Sequence, residues 1–188
     1  MPIVLFGEGG GGRPGDDSTG PAVAFDTHTF TQFSKLSGAV PMVGVNHGRC
    51  FAGNTALLAC RDVIIATKDS TIAMGGPAMI EGGGLGIYTP EEVGPMSFQV
   101  PNGVVDILVE DEAEAVQVAK QYLSYFQGST DSWEAPDQRK LRHIVPENRL
   151  RLYDMREIIA TLADKDSVLE IRAGFGVGVI TCFIRVEG

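Results

Sequence analysis

The chain has 188 residues, with 44% hydrophobic and 21% charged side chains, a length and composition typical of one sizeable globular domain. Its formal net charge of −9 argues against a nucleic-acid partner, because nucleic-acid-binding surfaces carry basic stripes. No run of about eighteen apolar residues is present, so no transmembrane segment is predicted, and the three cysteines without a CxxC motif predict reduced thiols in the cytoplasm.

The first half of the chain predicts strands that alternate with helices. A glycine-rich stretch, Gly7 to Gly15, directly follows the first apolar run, and a second glycine cluster spans Gly75, Gly76 and Pro77. A third glycine run, Gly82 to Gly84, fits either a close approach to a ligand or a tight structural turn. Strands are predicted at Pro2–Phe6, Val40–Val45, Val63–Ala66 and Thr71–Met74, and helices at Val23–Leu36 and from Phe51–Asn54 to about Cys60.

The second half continues this alternation. Asp111 and Glu114 form a capping-box-like pair before an apolar-periodic helix that runs to about Phe126. The polar, turn-rich segment Gln127–Pro136 predicts a domain edge, and we divide the chain into residues 1–130 and 131–188. The alternating order predicts an α/β fold. Further strands are predicted at Val104–Val109, Val168–Ile171 and Val179–Val186, and a helix capped by Asp154 and Glu157 at about Asp154–Ala163.

Two successive turns, Gly9–Arg13 and Cys50–Asn54, each follow a predicted strand and precede a predicted helix. Such turns present free N–H groups and the positive end of a helix dipole. Together they predict a two-sided pocket in which main-chain amides hold a carbonyl oxygen as it becomes negative, and one such donor contributes about 3 kcal/mol. Small residues suit this chemistry, because a β-carbon would block the approach of the ligand.

Five segments carry a family resemblance: GEGGGGRPGDD, GRCFAGN, MGGPAMIEGGGLG, NGVVDILVEDEAEA and PENRLRLYDMREII. In this order they resemble the carboxyltransferase (beta) subunit of biotin-dependent acyl-CoA carboxylases, of the crotonase superfamily. The resemblance implies a crotonase-like ββα superhelix, with residues 1–130 as an N-terminal carboxyltransferase domain and residues 131–188 as a linker and the truncated start of a second. It also implies carboxyl transfer from carboxybiotin to the α-carbon of an acyl-CoA of the acetyl or propionyl type.

The resemblance assigns site residues by position. The family's Ser-Gly-Gly-Ala-Arg falls on Gly9 to Arg13, and its Cys-Ala-Gly-Gly-Ala falls on Cys50 to Asn54. Gly9 and Gly12 replace the family's Ser and Ala and make the loop more flexible, and Phe51 and Asn54 stand where the family has small residues, which leaves the choice of acyl group open. The implied catalytic amides are those of Gly10, Gly11, Gly12, Ala52 and Gly53, and the implied substrate-binding residues are Arg13, Phe51, Asn54, Gly75, Gly76 and Pro77. For Arg13, a salt bridge to Asp16 or Asp17 is an equal alternative to a CoA phosphate.

The same resemblance implies the partners of the chain and its activity when isolated. Biotin would arrive as carboxybiotin on a carrier domain loaded by a biotin carboxylase component, and a neighbouring subunit would complete the site in a homo-oligomer. No metal, nucleic acid or membrane is expected to take part. Because the resemblance covers a central part of the family chain, we expect the 188 residues alone to be inactive.

Three alternatives stay open. A CoA-ester decarboxylase would use the same oxyanion site. A hydratase of the enoyl-CoA type needs two carboxylates, but Ala56 and Ala78 occupy the matching positions and only Glu81 lies nearby. A non-catalytic fragment of a larger carboxylase is the third alternative.

Overall fold

The structure is a computed structural model that describes residues 1–11 and 28–188. Within these ranges short strands alternate with helices. The strands are β1 (Ile3–Phe6), β2 (Met42–Asn46), β3 (Arg49–Phe51), β4 (Val63–Thr67), β5 (Thr71–Ala73), β6 (Ile107–Val109), β7 (Leu169–Ile171) and β8 (Thr181–Phe183). The α-helices are α1 (His28–Ser34), α2 (Gly53–Leu58), α3 (Pro77–Gly82), α4 (Met96–Gln99), α5 (Glu112–Ser124), α6 (Leu141–Ile144) and α7 (Met155–Leu162), and 3-10 turns lie at Pro90–Glu92 and Gln138–Lys140.

The main sheet is parallel throughout and has the strand order β1-β2-β4-β6. Every residue of β2 and β4 is buried, whereas alternate residues of the edge strand β1 are exposed. Central strands of a parallel sheet are covered on both faces and therefore read as continuous apolar runs, as MVGVN and VIIAT nearly do. The predicted α/β class is confirmed.

One face of the main sheet packs against α5. Ala115, Ala119 and Tyr122 of this helix lie in one core cluster with Val45 and Ile65 of the sheet. The three helix positions are separated by four and three residues, which is the spacing that places side chains on one face of a helix. The apolar face predicted for this helix is therefore confirmed.

The other face of the main sheet is covered by α2. Gly44 lies in the middle of β2, and a β-carbon there would be 2.5 Å from Cδ1 of Leu58 and 3.0 Å from Cγ of Arg61. The glycine thus lets α2 and the residues after it lie directly on the sheet. The buried Arg61 side chain stacks its guanidinium carbon 3.7 Å from the ring centroid of Phe33, which joins α1 to this layer.

A two-stranded antiparallel hairpin, β7 with β8, packs beside α5. The Phe183 ring lies 5.3 Å from that of Tyr122 with the two rings nearly perpendicular, and 6.1 Å from that of Phe126. Aromatic pairs at these separations add stability beyond the area that they bury. The hairpin therefore extends the core of the main sheet, and the domain edge within Gln127–Pro136 stays a prediction.

Both aspartates predicted to cap helices do so. The Asp111 carboxylate accepts the Glu114 N–H at 2.9 Å at the start of α5. The Asp154 carboxylate accepts the Arg156 N–H at 2.9 Å at the start of α7. Each bond satisfies one of the N–H groups that the first turn of a helix leaves free.

Several predicted element bounds are wrong. The predicted strand Val179–Val186 contains only β8, since the pairing with β7 ends at Ile171 and Thr181, and Arg172 follows with a φ of 56°. Val179 is exposed, and its N–H donates to the Gly176 carbonyl at 2.9 Å in the connecting loop rather than to β7. The segment Arg49–Phe51, expected to lead into a helix, forms a strand instead, and α3 and α4 were not predicted. No helix in the described ranges is long and apolar enough to cross a bilayer. The observed strands β5, β6 and β7 are shorter than the predicted strands Thr71–Met74, Val104–Val109 and Val168–Ile171. Two helices are also shorter than predicted: α1, within the described part of Val23–Leu36, and α2, which was predicted to end near Cys60.

Candidate active site

Three glycine- or alanine-containing turns follow strands that run in parallel. The turn Gly7–Gly11 follows β1, Ala52 and Gly53 follow β3, and Gly75 and Gly76 lie just beyond β5. Ligands of open α/β sheets bind outside the carboxyl ends of the strands. All three turns therefore lie at strand ends where a ligand can bind.

The first turn lies against β3. The Gly9 N–H donates to the carbonyl of Arg49 at 2.8 Å, and the Phe51 N–H donates to the carbonyl of Gly9 at 2.9 Å. Gly11 follows with a φ of 77°, and a β-carbon there would lie 3.0 Å from Cβ of Ala52. The backbone of Gly11 thus approaches the second turn so closely that only glycine fits without displacement.

The second turn is strained. Ala52 has a φ of 54° and a ψ of −123°, a conformation that costs a residue with a β-carbon about 1–3 kcal/mol. No side chain caps α2 at this position. The turn is held instead by Thr55, whose hydroxyl lies 2.7 Å from the Cys50 carbonyl and 2.9 Å from the Ala73 carbonyl. Strain of this kind is typical of functional sites.

The amides of these turns differ in whether they are free. The Ala52 N–H donates to the Ala73 carbonyl at 3.3 Å, so this predicted oxyanion donor already has a partner. By contrast, within the described part of the chain the N–H groups of Gly10, Gly11 and Gly53 donate to no protein acceptor. These three glycines therefore offer main-chain donors to a ligand.

The third turn lies beside the first. A β-carbon at Gly76 would be 3.5 Å from Cδ2 of Phe51 and 3.8 Å from the carbonyl oxygen of Gly10. Gly76 is the N-cap of α3, and Pro77 occupies its first turn, a position where the missing N–H costs nothing. The structure thus brings the predicted residues Gly75, Gly76 and Pro77 next to the glycine turns.

Phe51 and Asn54, which stand where the family has small residues, occupy different environments. The Phe51 side chain is only 2% exposed, so it supports the site from the core. The Asn54 side chain lies over the first turn, since a β-carbon at Gly9 would be 1.9 Å from its Nδ2. Gly12 and Arg13, which were predicted as an oxyanion donor and a CoA contact, lie outside the described residues.

Ionisable side chains do not supply an obvious nucleophile here. Burial raises the pKa of the Cys50 thiol, which favours the unreactive protonated form. Glu81 is exposed on α3, and Ala56 and Ala78, which occupy the two positions where a hydratase needs carboxylates, carry none. No group of three or more His, Cys, Asp or Glu side chains in the described ranges has the geometry of a metal site.

The glycine run that ends α3 has a structural explanation. The Leu85 N–H donates to the Ile80 carbonyl at 3.0 Å and the Gly84 N–H donates to the Glu81 carbonyl at 2.9 Å, while Gly84 has a φ of 68°. This pair of bonds is a Schellman motif, in which a left-handed glycine closes the helix. The structural-turn alternative for Gly82 to Gly84 is therefore confirmed.

Sequence patterns missed two contacts at the site. The Phe30 ring of α1 packs on Gly53, where a β-carbon would be 2.8 Å from its Cζ. Glu8, within the first glycine turn, lies 2.6 Å from Nε2 of His47 in the β2–β3 corner. Both contacts join residues far apart in sequence, and neither has a short-range pattern that could have predicted it.

A broad surface depression within the described part of the chain does not coincide with these turns. It has a volume of about 500 Å³ and lies near the amino end of β2, between residues 38–41 and the aromatic side chains Tyr122, Phe126 and Phe183. We place the candidate site at the glycine turns, because they carry the free main-chain N–H donors.

The fold and the candidate site together define a class of protein: an α/β domain whose glycine turns leave main-chain N–H groups free. The sequence matches the carboxyl transferase domain family over residues 2–188. The chain belongs to this family, and its fold is crotonase-like, as in the solved carboxyltransferases that it matches. The family resemblance of the sequence motifs is confirmed.

Individual relatives support this assignment. The chain is 32% identical to the methylmalonyl-CoA carboxyltransferase 12S subunit of Propionibacterium freudenreichii subsp. shermanii, with 100% of this chain and 37% of the relative covered. A solved single-chain, multi-domain long-chain acyl-CoA carboxylase matches with a TM-score of 0.94 and 57% identity over 100% of this chain and 18% of that one. The crystal structure of a transcarboxylase 12S hexamer matches with a TM-score of 0.71 and 31% identity over 85% of this chain and 33% of that one. The chain thus spans little more than a third of the curated relatives that it matches.

Proposed function

We propose that this chain binds an acyl-CoA and holds its thioester carbonyl with main-chain amides, as the acyl-CoA side of a biotin-dependent carboxyltransferase. The observation that carries the proposal is the approach of Gly11 to Ala52, which brings the first and second turns together. Membership of the carboxyl transferase domain family supports it.

The chemistry follows from where charge develops. Removal of a proton from the α-carbon of a thioester places negative charge on the carbonyl oxygen. The free N–H groups of Gly10, Gly11 and Gly53 would donate to that oxygen, and each well-placed donor would lower the barrier by about 3 kcal/mol. The strained Ala52 would keep the second turn in place without using its own amide, which is bound to Ala73.

The relatives of the chain indicate the acyl group. The solved structure with 57% identity is named as a long-chain acyl-CoA carboxylase, so a long-chain acyl-CoA is the substrate that we propose first. Acetyl-CoA and propionyl-CoA, which the sequence resemblance implied, are the alternatives; a propionyl-CoA carboxylase beta chain of Cereibacter sphaeroides is 27% identical over 199 residues. We propose that Asn54, whose side chain lies over the first turn, influences which acyl group the site accepts.

Carboxybiotin supplies the carboxyl group when it is bound. The described residues provide amides for one carbonyl oxygen, and we assign none of them to the biotin ring, so we propose that other parts of the enzyme hold it. A biotin carboxylase and a carrier, either as separate subunits or in the same polypeptide, are the proposed partners. A homo-oligomer that works in the cytoplasm is also proposed, with residues 1–130 as the acyl-CoA domain and residues 131–188 as the start of a second.

A second candidate is decarboxylation of a carboxyacyl-CoA. The chain is 28% identical to the methylmalonyl-CoA decarboxylase alpha subunit of Veillonella parvula over all of its own length. The same amides would stabilise the same enolate, because decarboxylation forms it by loss of CO2. The two candidates therefore differ in the direction of carboxyl transfer.

The test uses the protein encoded by the complete open reading frame that contains this chain. It is supplied with a carboxybiotin donor and separately with acetyl-, propionyl- and palmitoyl-CoA, and the carboxylated products are measured by mass spectrometry. We expect product from at least one acyl-CoA and little from the 188-residue chain alone. Release of CO2 from a carboxyacyl-CoA, without net carboxylation, would favour the decarboxylase. The absence of both activities would contradict the proposal.

A further inference from the structure

We propose that Glu8 and His47 form a positioning pair that fixes the first glycine turn at the active site. Oε1 of Glu8 lies 2.6 Å from Nε2 of His47, and the other ring nitrogen of His47 lies 3.5 Å from Oε1 of Glu112 at the start of α5. The inference rests on the proposed function, because it assigns a role to the turn that would hold the thioester.

The His47 side of the pair is attached to a rigid corner. Asn46, which is fully buried, donates from Nδ2 to the Gly48 carbonyl at 3.0 Å and so closes the corner between β2 and β3. The Thr71 N–H donates to the same carbonyl at 3.0 Å, and the buried Ser70 hydroxyl donates to the Asn46 carbonyl at 2.9 Å. Such a buried, hydrogen-bonded network resists movement, so His47 is a fixed point.

The Glu8 side of the pair belongs to a turn that is bonded to the sheet at Gly7, whose N–H donates to the Val45 carbonyl at 2.8 Å, but that carries few side chains. Gly9 is held by its bonds to β3, but a β-carbon at Gly10 would find no atom of the described residues within 4 Å. From Glu8 to Gly11, Glu8 carries the only side chain beyond hydrogen. Its carboxylate packs on the corner, since a β-carbon at Gly48 would be 3.3 Å from its Cδ. Glu8 is therefore the one side chain that ties this part of the turn to the corner.

The expected size of the effect on folding and on the rate distinguishes a positioning role from a role in global stability. The two side chains are 36% and 40% exposed, and an ion pair at such a site contributes about 1 kcal/mol or less to folding. Catalysis is more sensitive, because a misplacement of about 1 Å can cost about a hundredfold in rate. Loss of the pair should therefore change the turn and the rate much more than the melting temperature.

The experiment compares variants of the complete protein. Glu8→Ala, His47→Ala and the double variant remove the pair, whereas Glu8→Gln keeps the shape and an oxygen acceptor. Lys68→Ala is the matched control, because it removes the exposed Lys68–Glu110 pair, with nitrogen and oxygen 2.5 Å apart, which follows β4 and β6 rather than the glycine turn. The readouts are kcat and KM for acyl-CoA, the melting temperature, and amide hydrogen exchange of a peptide that covers residues 7–11.

We expect each alanine variant to lower kcat about tenfold with less than a twofold change in KM, and the double variant to be no worse than either single variant. Exchange in residues 7–11 should rise in these variants, while Glu8→Gln keeps at least half of the wild-type kcat and Lys68→Ala behaves as wild type. Unchanged exchange and kcat in Glu8→Ala and His47→Ala would overturn the positioning role. If the wild type itself transfers no carboxyl group, the proposed function fails, and the exchange data still decide whether the pair fixes the turn.

Discussion

Substitution of Gly11 by alanine should damage catalysis far more than folding. The residue has a φ of 77°, and the new β-carbon would lie 3.0 Å from Cβ of Ala52, which cannot rotate away. Left-handed backbone costs a residue with a β-carbon about 1–2 kcal/mol, so the protein should remain folded. Relief of the contact requires the two turns to separate, which withdraws the Gly11 amide from the oxyanion and should lower kcat/KM about a hundredfold or more.

The control for backbone strain is Gly38→Ala. Gly38 has a φ of 75°, nearly that of Gly11, but a β-carbon there meets no atom of the described residues within 4 Å, and Gly38 lies before β2, away from the glycine turns. Chemical denaturation measures the loss of stability, and carboxylated acyl-CoA formed by the complete protein measures kcat/KM. Both variants should lose similar stability, but only Gly11→Ala should lose activity. A kcat/KM within threefold of wild type for Gly11→Ala would refute the reasoning.

Three further outcomes are expected. Gly44→Ala would force a β-carbon to within 2.5 Å of the Leu58 side chain and should lower the free energy of unfolding by about 1–3 kcal/mol. Gly82→Ala should not, because its β-carbon would meet no atom of the described residues within 4 Å. Urea denaturation of both variants tests this difference. Asn46→Leu removes a fully buried amide and its hydrogen bonds and should destabilise the protein by about 1–3 kcal/mol in the same assay; an unchanged midpoint would contradict the role of the corner. Burial, assisted by nearby carboxylates, raises the pKa of Tyr122 from 10.0 to about 12. The contribution of its neutral phenol to folding stability is therefore complete below pH 10 and is lost as the pH rises towards 12. Tyr122→Phe should flatten this decline in stability, and an identical decline in both proteins would show the assignment to be wrong.

Local patterns predicted much of this site. The glycines after β1 and the small residues after β3 are visible in the sequence, because close approach of backbone to a ligand demands residues without large side chains. The helix that begins after Asp111 was predicted from its cap and its apolar period. The family resemblance implied Gly75 and Gly76 as substrate-binding residues; the structure places Gly76 beside the first turn, and the substrate-binding role stays a prediction.

Features that depend on pairing between distant segments were not predictable. The strand β3 has only three residues, and it exists because it pairs with β5 some twenty residues later. The same pairing gives the Ala52 amide a partner in Ala73, so a sequence pattern that marks Ala52 as a donor cannot show that the donor is occupied. The contact between Glu8 and His47 likewise depends on the order of strands in the sheet.

The central claim is that main-chain amides of two turns hold the thioester oxygen. The most direct test is a structure of the complete protein with a bound, non-reactive thioester analogue of its acyl-CoA. We predict that the carbonyl oxygen lies about 2.7–3.1 Å from the Gly53 nitrogen and from the nitrogen of Gly10 or Gly11. A bound thioester whose oxygen contacts a side chain or solvent, with these amides more than about 4 Å away, would contradict the account.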